Sequence, residues 1–441
     1  MNTHKQQVLF LSKVKLLLKK CNKKNFLPKS NSVFYLSTYT QSFGSLIVDR
    51  LLNRSKVSTI LTIILKEFFS SSSRQFKSIT QKSKKTYTKI IISWAKEKDF
   101  SINGSYTDSY LNTNSRKDKN LLWFLIYTDK NIPKKIDSNI CLFQTINKGF
   151  NFFNIIKLIT SNLLFLFKDT NYFLSQISTH NNLSIHLSNA FKKFLNKDLK
   201  EILINYEGQP FQNEIIRITK KFNKKVKIIG NVHAPLMSIP TNFFYKNFSP
   251  DKIIVNGPDI KFLFVKYLGW NSKKIKIKKS LRILNIKKDM SNTVFLPNNI
   301  NSPKLLMNSF NLLMNDSDYN LNDFKIKLHP QQLNLKSHQI VAQNLQKLLQ
   351  IKKKMGSFKK EKNLSVFIGA TGSIIEALER NVEVIHICED VILEPYLSEL
   401  YPNIISEKIH NNIFRYKLKK KRTLLILGDK SNNLFNYFSK H

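Results

Sequence analysis

Residues 364–380 read LSVFIGATGSIIEALER. The first five residues form an apolar run with the length of a buried strand, and the apolar residues after Ser373 recur at helical spacing. Gly369 and Gly372 stand between the two patterns, where a tight turn favours residues without a β-carbon. The stretch therefore predicts a buried strand, a glycine-rich turn and a helix, which together form the repeating unit of a parallel α/β sheet.

The same alternation of strand and helix patterns runs along most of the chain. The predicted strands are Ser32–Tyr39, Lys89–Ala95, Leu121–Tyr127, Ile140–Gln144, Glu201–Asn205, Val226–Gly230, Lys252–Asn256, Thr293–Leu296, Lys325–Leu328, Leu364–Ile368 and Val382–Ile387. The predicted helices are Lys148–Lys168, Asn171–Ile177, Leu187–Leu195, Asp259–Leu268, Pro303–Met314, Ser337–Leu349, Ser373–Arg380 and Asn432–Ser439. The polar stretches Ser70–Lys84 and Gly104–Asn120 are predicted to be loops. Serial βα steps of this kind are typical of doubly wound α/β domains.

The length of 441 residues is sufficient for two domains with large cores. The stretch Met237–Pro250, rich in Pro, Asn and Phe, predicts the join, so we expect domains at residues 1–240 and 250–441 that face each other across a cleft near residues 231–257. The C-terminal helix is expected to pack back on the first domain. Ligands of open parallel sheets bind at the carboxyl ends of the strands, so residues that follow a predicted strand are the candidates for a functional site.

The formal net charge of +43 suits a polyanion or an anionic membrane surface. Lysine carries nearly all of the excess, although arginine binds phosphates and bases better, so compositional drift is the plainer explanation and no specific nucleic-acid partner is expected. Three widely spaced cysteines indicate neither disulfides nor a zinc site and fit a reducing cytoplasm. The apolar stretch 150–167 is too short and polar for a transmembrane span, which favours a core or interfacial helix. We therefore expect a cytoplasmic protein, peripheral at the inner face of the membrane.

The first candidate site follows the strand Glu201–Asn205. Glu207 stands at the carboxyl end of that strand, and Gly208 permits a tight turn or a close backbone approach. A carboxylate at this position could act as a general base on a hydroxyl group. Taken alone, the residues favour a plainer interpretation, a glutamate that complements the dipole of the following helix.

The second candidate site joins two strand ends of the second half. His329 follows the strand Lys325–Leu328, and Pro330 fixes the turn after it, so the imidazole is placed to contact a phosphate or protonate a leaving group. Thr371 and Ser373, with free backbone N–H groups near Gly372, suit a nucleotide phosphate. Glu376 with Ser373 also fits a helix-capping box, and both interpretations can hold together.

Weaker candidates for the cleft follow two further strands. They are Asn231 with His233, and Asn256 with Gly257; for each pair an ordinary βα turn is equally consistent. The Asp-x-Asp element at residues 316–318 follows a helix rather than a strand, so it lies at the wrong end of a sheet for a metal site. No metal site and no cofactor are therefore expected.

The order of these elements resembles that of bacterial GT-B sialyltransferases and polysialyltransferases, which carry an acidic-acidic-Gly, a His-Pro and a Ser/Thr-rich motif. The chain is also similar to capsule Kdo transferases and to surface carbohydrate biosynthesis proteins, the last through residues 91–95 and 122–127. The resemblance extends over most of residues 30–400. It implies a general base at Glu207, a donor-phosphate contact at His329 and phosphate-binding hydroxyls at Thr371 and Ser373. Tyr206 stands where the family has its first acidic residue.

The resemblance implies an α/β, GT-B-like fold with two Rossmann-like domains. It also implies an inverting, metal-independent glycosyltransferase of bacterial surface-polysaccharide synthesis, either capsule or lipopolysaccharide. Its expected partners are a nucleotide-sugar donor, CMP-activated or other, a glycan or lipid-linked acceptor, and an anionic membrane. Two alternatives stay open: a CDP-alditol phosphotransferase like those of teichoic-acid synthesis, and a non-catalytic basic protein that binds membranes or nucleic acid.

Overall fold

The structure is a computed structural model of the chain. It describes residues 2–23, 34–36, 43–54, 57–79, 86–118, 120–147, 170–286, 288–316, 323–329, 335–353, 363–429 and 434–438, with the single residues 153, 156, 160, 319, 321 and 332. The predicted helix Lys148–Lys168 lies almost wholly outside these residues, as does most of the predicted strand Ser32–Tyr39.

Helices and strands alternate along most of the described chain. The helices are α1 Thr3–Lys23, α2 Phe43–Leu51, α3 Val57–Ser73, α4 Thr170–Ile177, α5 Thr179–Lys192, α6 Pro210–Phe222, α7 Pro258–Lys266, α8 Pro303–Asn315, α9 Lys336–Lys353 and α10 Ser373–Glu379. The strands are β1 Arg74–Ile79, β2 Lys89–Ala95, β3 Thr107–Asp108, β4 Thr113–Asn114, β5 Leu121–Tyr127, β6 Ile140–Asn147, β7 Glu201–Asn205, β8 Lys227–Asn231, β9 Lys252–Val255, β10 Ile275–Ile277, β11 Thr293–Phe295, β12 Lys325–Lys327, β13 Leu364–Ile368, β14 Glu383–Ile387, β15 Ile404–His410 and β16 Ile413–Leu418.

The first sheet has eight strands in the order β1-β6-β5-β2-β7-β8-β9-β10, and only β1 is antiparallel to its neighbour. Its central strands are buried on both faces, which explains their nearly continuous apolar sequences. Ile90 and Ile92 on β2 pack on the face that α5 and α6 cover, while Ile91 between them packs on the opposite face.

The second sheet has six strands in the order β12-β11-β13-β14-β16-β15. The first four strands are parallel, and β16 and β15 add an antiparallel hairpin at one edge. Val294, Val366 and Ile385 share a buried cluster with Phe310 of α8 and Leu345 of α9. The predicted α/β fold class with two Rossmann-like units is confirmed.

The sheets divide the chain later than the sequence predicts. The strand Lys252–Asn256 is predicted to open the second domain, but β9 pairs with β8 and β10 pairs with β9, so both belong to the first sheet. Gly230 permits this pairing, because a β-carbon there would lie 2.7 Å from Cγ of Pro250, just before β9. The two sheets are therefore separated between Ile277 and Thr293, and not at residues 240–250.

Two further predictions are corrected by local structure. Residues Ser70–Lys84, predicted as a loop, contain the end of α3 and the strand β1, which pairs along its whole length with β6. Residues Gly104–Asn120, also predicted as a loop, contain the short hairpin β3–β4. Both elements have polar sequences that resemble loops. Strand β1 lies at the edge of the first sheet and the β3–β4 hairpin lies outside it, so neither needs many apolar residues.

The last residues of the chain return to the first sheet. Leu434, Tyr437 and Phe438 join the buried cluster around Trp123, as predicted for the C-terminal helix, although the turn Leu434–Tyr437 is of the 3-10 type. Within the part of the chain that the structure describes, no helix combines the length and apolar character that a membrane crossing needs.

The order of the strands marks one switch point in each sheet. From β2 the chain first builds outward through β5 and β6, and then builds from β7 to β10 on the other side of β2. From β11 it builds to β12 on one side and to β13 and β14 on the other. Connections leave on opposite sides at such a point, which opens a crevice at the carboxyl ends of the strands. The crevices lie between β2 and β7 and between β11 and β13.

Candidate active site

Glu207 lies in the turn between β7 and α6, at the switch point of the first sheet. Gly208 adopts a φ of +67°, and a β-carbon there would lie 2.3 Å from the carbonyl oxygen of Asn242, so the turn depends on glycine. The Gln212 side chain accepts hydrogen bonds from the backbone N–H groups of Glu207 (3.0 Å) and Gln209 (3.1 Å). The backbone of Glu207 is therefore fixed by the Gln212 side chain and by the close packing of Gly208 on Asn242.

The Glu207 carboxylate contacts side chains rather than the backbone of its own helix. Its Oε2 accepts a hydrogen bond from Gln209 at 2.6 Å, and its Oε1 lies 3.4 Å from Nε2 of His233. Helix α6 begins at Pro210, after Gln209. The plainer interpretation, a glutamate that only complements the start of this helix, is therefore not what the structure shows.

His233 is a buried, neutral partner for this carboxylate. Its side chain is 2% exposed, whereas that of Glu207 is 37% exposed. Burial, with the nearby charge of Arg282, lowers the pKa of His233 to about 3. The limited hydration of the same site raises the pKa of the Glu207 carboxyl, against the hydrogen bond from Gln209 and the charge of Arg282. The contact is therefore a polar one between a carboxyl group and a neutral imidazole, not an ion pair.

A row of three buried polar side chains lies on the strands next to the Glu207–His233 pair. Asn205 donates a hydrogen bond to Oγ of Ser93 at 2.8 Å, and Asn231 approaches Oδ1 of Asn205 at 3.5 Å. These residues lie on the adjacent strands β2, β7 and β8, and all three side chains are buried. Buried polar groups are costly unless they are hydrogen-bonded, and the contacts among these three side chains offset part of that cost. Asn231, predicted as part of the cleft, is buried in this row and does not line the cavity described below.

Three residues of the site were not found from the sequence: Asp108, Tyr110 and Arg282. Asp108 is buried and accepts hydrogen bonds from the backbone N–H groups of Tyr110 (2.7 Å) and Leu111 (2.9 Å), which fixes the tip of the β3–β4 hairpin. The Tyr110 ring lies edge-on to the His233 ring, with centroids 4.5 Å apart, and the Arg282 guanidinium lies 5.1 Å from the centroid of Tyr110. The only feature of the sequence that could have indicated these residues is Asp108, an acidic residue in the polar, turn-rich stretch Gly104–Asn120.

A cavity of about 200 Å³ lies between the Glu207 turn and the loop formed by residues 232–243. Glu207, His233 and Asn242 line it, together with Tyr35 from the N-terminal region. The cavity combines an apolar wall with a carboxylate and an imidazole, the composition of a small-molecule site.

The second sheet meets the first at this same loop. A β-carbon at Gly372 would lie 2.3 Å from the carbonyl oxygen of Pro235, so the turn Thr371–Ser373 packs directly on the loop 232–243. The Tyr396 hydroxyl lies 2.8 Å from the carbonyl oxygen of Leu236 and 3.1 Å from that of Thr371, and so bridges the two units. The predicted hydroxyls of Thr371 and Ser373 are thus brought to the edge of the cavity loop.

His329 lies half-buried beyond the end of β12, as predicted. Burial lowers its pKa, and the nearby His338 and the charge of Arg282 lower it further. Arg282 thus acts electrostatically on His233 of the first unit and on His329 of the second. Pro330 lies outside the described residues.

The remaining predicted residues have contacts of another kind. Glu376 forms ion pairs with Lys288 at 2.8 Å and Arg380 at 3.2 Å, and no side chain caps α10, so the proposed capping box does not form. Gly257 packs against the carbonyl oxygen of Leu424, which a β-carbon would approach to 1.7 Å, and Asn256 accepts a backbone hydrogen bond from Ile426. The returning C-terminal segment therefore covers Asn256 and Gly257.

One group with metal-ligand spacing occurs within the described residues: His386, Cys388 and Glu394. Nε2 of His386 already bonds the carbonyl oxygen of Gly369 at 2.8 Å, and its Nδ1 lies 3.3 Å from the Tyr416 hydroxyl. Because both ring nitrogens have partners, we interpret this group as a hydrogen-bonded polar core rather than a metal centre.

The chain matches no protein-family model and no curated protein. Among solved structures it is similar to a crystal structure of a glycosyltransferase from Rickettsia africae ESF-5, with 11% sequence identity and a TM-score of 0.31. That similarity covers 70% of this chain and 86% of the other. A likeness of this degree carries no argument about function, which must come from the site.

The neutral state of His233 gives a direct test of the site. Since its folded-state pKa of about 3 lies below the ordinary value of 6.5, its ring should stay neutral from pH 8 down to about pH 4. Its contribution to the free energy of unfolding is then complete above pH 6.5 and is lost as the pH falls towards 3. Nitrogen-15 NMR of labelled histidine, assigned with His233→Gln, measures this, and a titration midpoint near 6.5 would contradict the buried pair.

Proposed function

We propose that this protein is an inverting, metal-independent glycosyltransferase that uses a nucleotide-activated sugar. The observation that carries the proposal is the Glu207 carboxylate beside the neutral imidazole of His233, on the wall of a cavity at the first switch point. The turn Thr371–Ser373 of the second sheet packs on the loop of the same cavity. A base and a candidate phosphate site thus meet where two open sheets bring their carboxyl ends together.

The proposed reaction needs one proton acceptor and one stabilised leaving group. Glu207 takes the proton of the acceptor hydroxyl, and the hydroxyl oxygen forms a bond to the anomeric carbon of the sugar. The bond from that carbon to the phosphate oxygen breaks, and its electron pair leaves with the nucleotide. Attack from the face opposite the phosphate inverts the anomeric configuration.

The environment of Glu207 suits it to this role. A charged histidine at 3.4 Å would stabilise the carboxylate and weaken it as a base, but His233 is neutral and can only orient it. The raised pKa of Glu207 makes it a stronger proton acceptor than a hydrated carboxylate. His233 is thus proposed as a positioning residue.

The second sheet supplies the leaving-group side in this proposal. The donor nucleotide binds in the crevice between β11 and β13, near Thr371 and Ser373. Because the pKa of His329 is lowered, its imidazole is neutral near pH 7 and donates a hydrogen bond to the leaving phosphate rather than a charge. Preorganised donors of this kind stabilise the charge that develops on a leaving group.

The acceptor and biological setting follow the family resemblance and are proposed with it. We propose a glycan or lipid-linked acceptor and a role in bacterial surface-polysaccharide synthesis at the inner face of the cytoplasmic membrane. Helix α1 supports the membrane contact, since it has no acidic residue. Its solvent face combines Leu9 and Leu16, 46% and 55% exposed, with the exposed Lys5, Lys19 and Lys20. Apolar and basic residues on one helical face suit an anionic lipid surface.

Glu207→Gln should lower the rate of sugar transfer by roughly two to four powers of ten, because the amide cannot accept the proton. The affinity for the donor nucleotide should stay unchanged. Turnover of the wild type should also fall as the pH drops through the raised pKa of Glu207, at a higher pH than for an ordinary glutamate. The matched control is Glu214→Gln, a partly exposed glutamate of α6 paired with Arg217. Full activity in Glu207→Gln would exclude Glu207 as the base.

His329→Ala should leave the circular dichroism spectrum and melting temperature nearly unchanged and reduce turnover by roughly two to four powers of ten. The loss should fall on kcat rather than KM, since the contact strengthens as charge develops on the leaving group. His410→Ala, a more exposed histidine of the same sheet, serves as control. Equal turnover in the two variants would remove His329 from the mechanism.

Vesicles test the membrane contact of α1. The protein should sediment with vesicles containing phosphatidylglycerol but not with phosphatidylcholine alone, and added salt should weaken the binding. Replacing Leu9 and Leu16 together by serine should reduce binding by roughly tenfold or more. Leu305 and Leu312 of α8 have the same spacing and similar exposure, so their double serine variant is the control. Equal losses in both double variants would contradict a role for α1.

A further inference from the structure

The segment that links the two sheets places one arginine at the site. After β10 the chain turns at Ser280, whose Oγ accepts a hydrogen bond from the backbone N–H of Ile283 at 2.9 Å. The C-terminal segment holds this turn on both sides, because Ser280 donates to the carbonyl oxygen of Ile426 (2.8 Å) and Gly428 donates to that of Ile283 (2.9 Å). The backbone of Arg282 is therefore fixed within the linker.

The neighbours of Arg282 determine where its side chain goes. Leu281 is buried in the cluster around Trp123, and Ile283 is buried in the core that the two units share. Arg282 between them is exposed, with its guanidinium 5.1 Å from the ring centroid of Tyr110. Tyr110 is itself held by the buried Asp108. The guanidinium therefore lies over a fixed aromatic ring, which limits its conformational freedom.

The positive charge of Arg282 is not neutralised by an ion pair with any residue that the structure describes. Its influence nevertheless reaches both sides of the site, since it lowers the pKa of Glu207, of His233 and of His329. A cation fixed at this position leaves its N–H donors available to a ligand. Other arginines near the junction are already occupied, such as Arg380 with Glu376 and Arg54 with Asp390.

We propose that Arg282 is the anion-binding residue of the cleft, and that its guanidinium binds a phosphate or carboxylate group of the substrate beside the Glu207–His233 pair. The planar fork of arginine donates two parallel hydrogen bonds to either group, while the guanidinium stays over the Tyr110 ring. The site itself rests on geometry, and only the identification of its ligand as a sugar donor rests on the proposed function. Lysine would keep the charge but lose the planar fork.

Equilibrium binding tests this without turnover. Pyrophosphate, CMP and N-acetylneuraminate are titrated into the full chain by calorimetry, with the fluorescence of Trp94 as a local signal because its ring lies 6.0 Å from that of Tyr110. Arg282→Gln should weaken binding of the preferred anion roughly 10- to 100-fold, and Arg282→Lys should recover only part of the loss. Lys279→Gln, which removes one positive charge from the same linker, should bind like the wild type.

The results separate the sources of the anion and separate this proposal from the proposed function. An Arg282-dependent loss for pyrophosphate and CMP assigns the site to a phosphate, and one for N-acetylneuraminate assigns it to a carboxylate. Binding that is equal in wild type and Arg282→Gln, or undetectable for all three anions in the wild type, would overturn the proposal. Arg282-dependent anion binding in a wild-type protein that transfers no sugar from any nucleotide sugar tested would refute the transferase and keep the anion site.

Discussion

The packing of Gly372 on the backbone of Pro235 is the contact on which the candidate site depends. A β-carbon would stand 2.3 Å from the Pro235 carbonyl oxygen, so only glycine lets the turn of the second sheet reach the loop of the first. The Tyr396 hydroxyl bridges the same two backbones. Because of this contact, the switch points of the two sheets lie at one junction, where Leu236 and Tyr396, 160 positions apart in sequence, are hydrogen-bonded.

That environment explains why the site can be reactive without a metal in its proposed mechanism. Burial removes the charge of His233, restricts the hydration of Glu207 and leaves Arg282 as a fixed cation beside them. Electrostatic effects are stronger where water is partly excluded, so a single guanidinium acts on groups in both units. Burying the side chains of Ser93, Asn205 and Asn231 near the site lowers the stability of the fold relative to apolar residues, and their mutual hydrogen bonds offset part of that loss.

Part of the site could be predicted because strand ends are visible in a sequence. Glu207 follows an apolar run and His329 follows a strand of alternating charged and apolar residues, and the structure places both beyond the carboxyl ends of parallel strands. Arg282 could not be found in this way, since it lies in a linker whose path depends on pairing with residues 426–428. Gly257 was misinterpreted for the same reason: a glycine after a strand suits a ligand and a returning chain equally, and here Leu424 lies against it.

The sequence by itself determined the alternation of buried strands and helices, because the period of apolar residues depends only on local geometry and burial. It did not determine which sheet β9 and β10 join, since a parallel strand has the same apolar pattern in either sheet. Only the tertiary structure decided that Glu207 has a neutral partner in His233 and that Arg282 lies over Tyr110, whose ring contacts His233. The physical reason is that hydration, charge and contact between distant segments arise from packing, and no local pattern of residues records them.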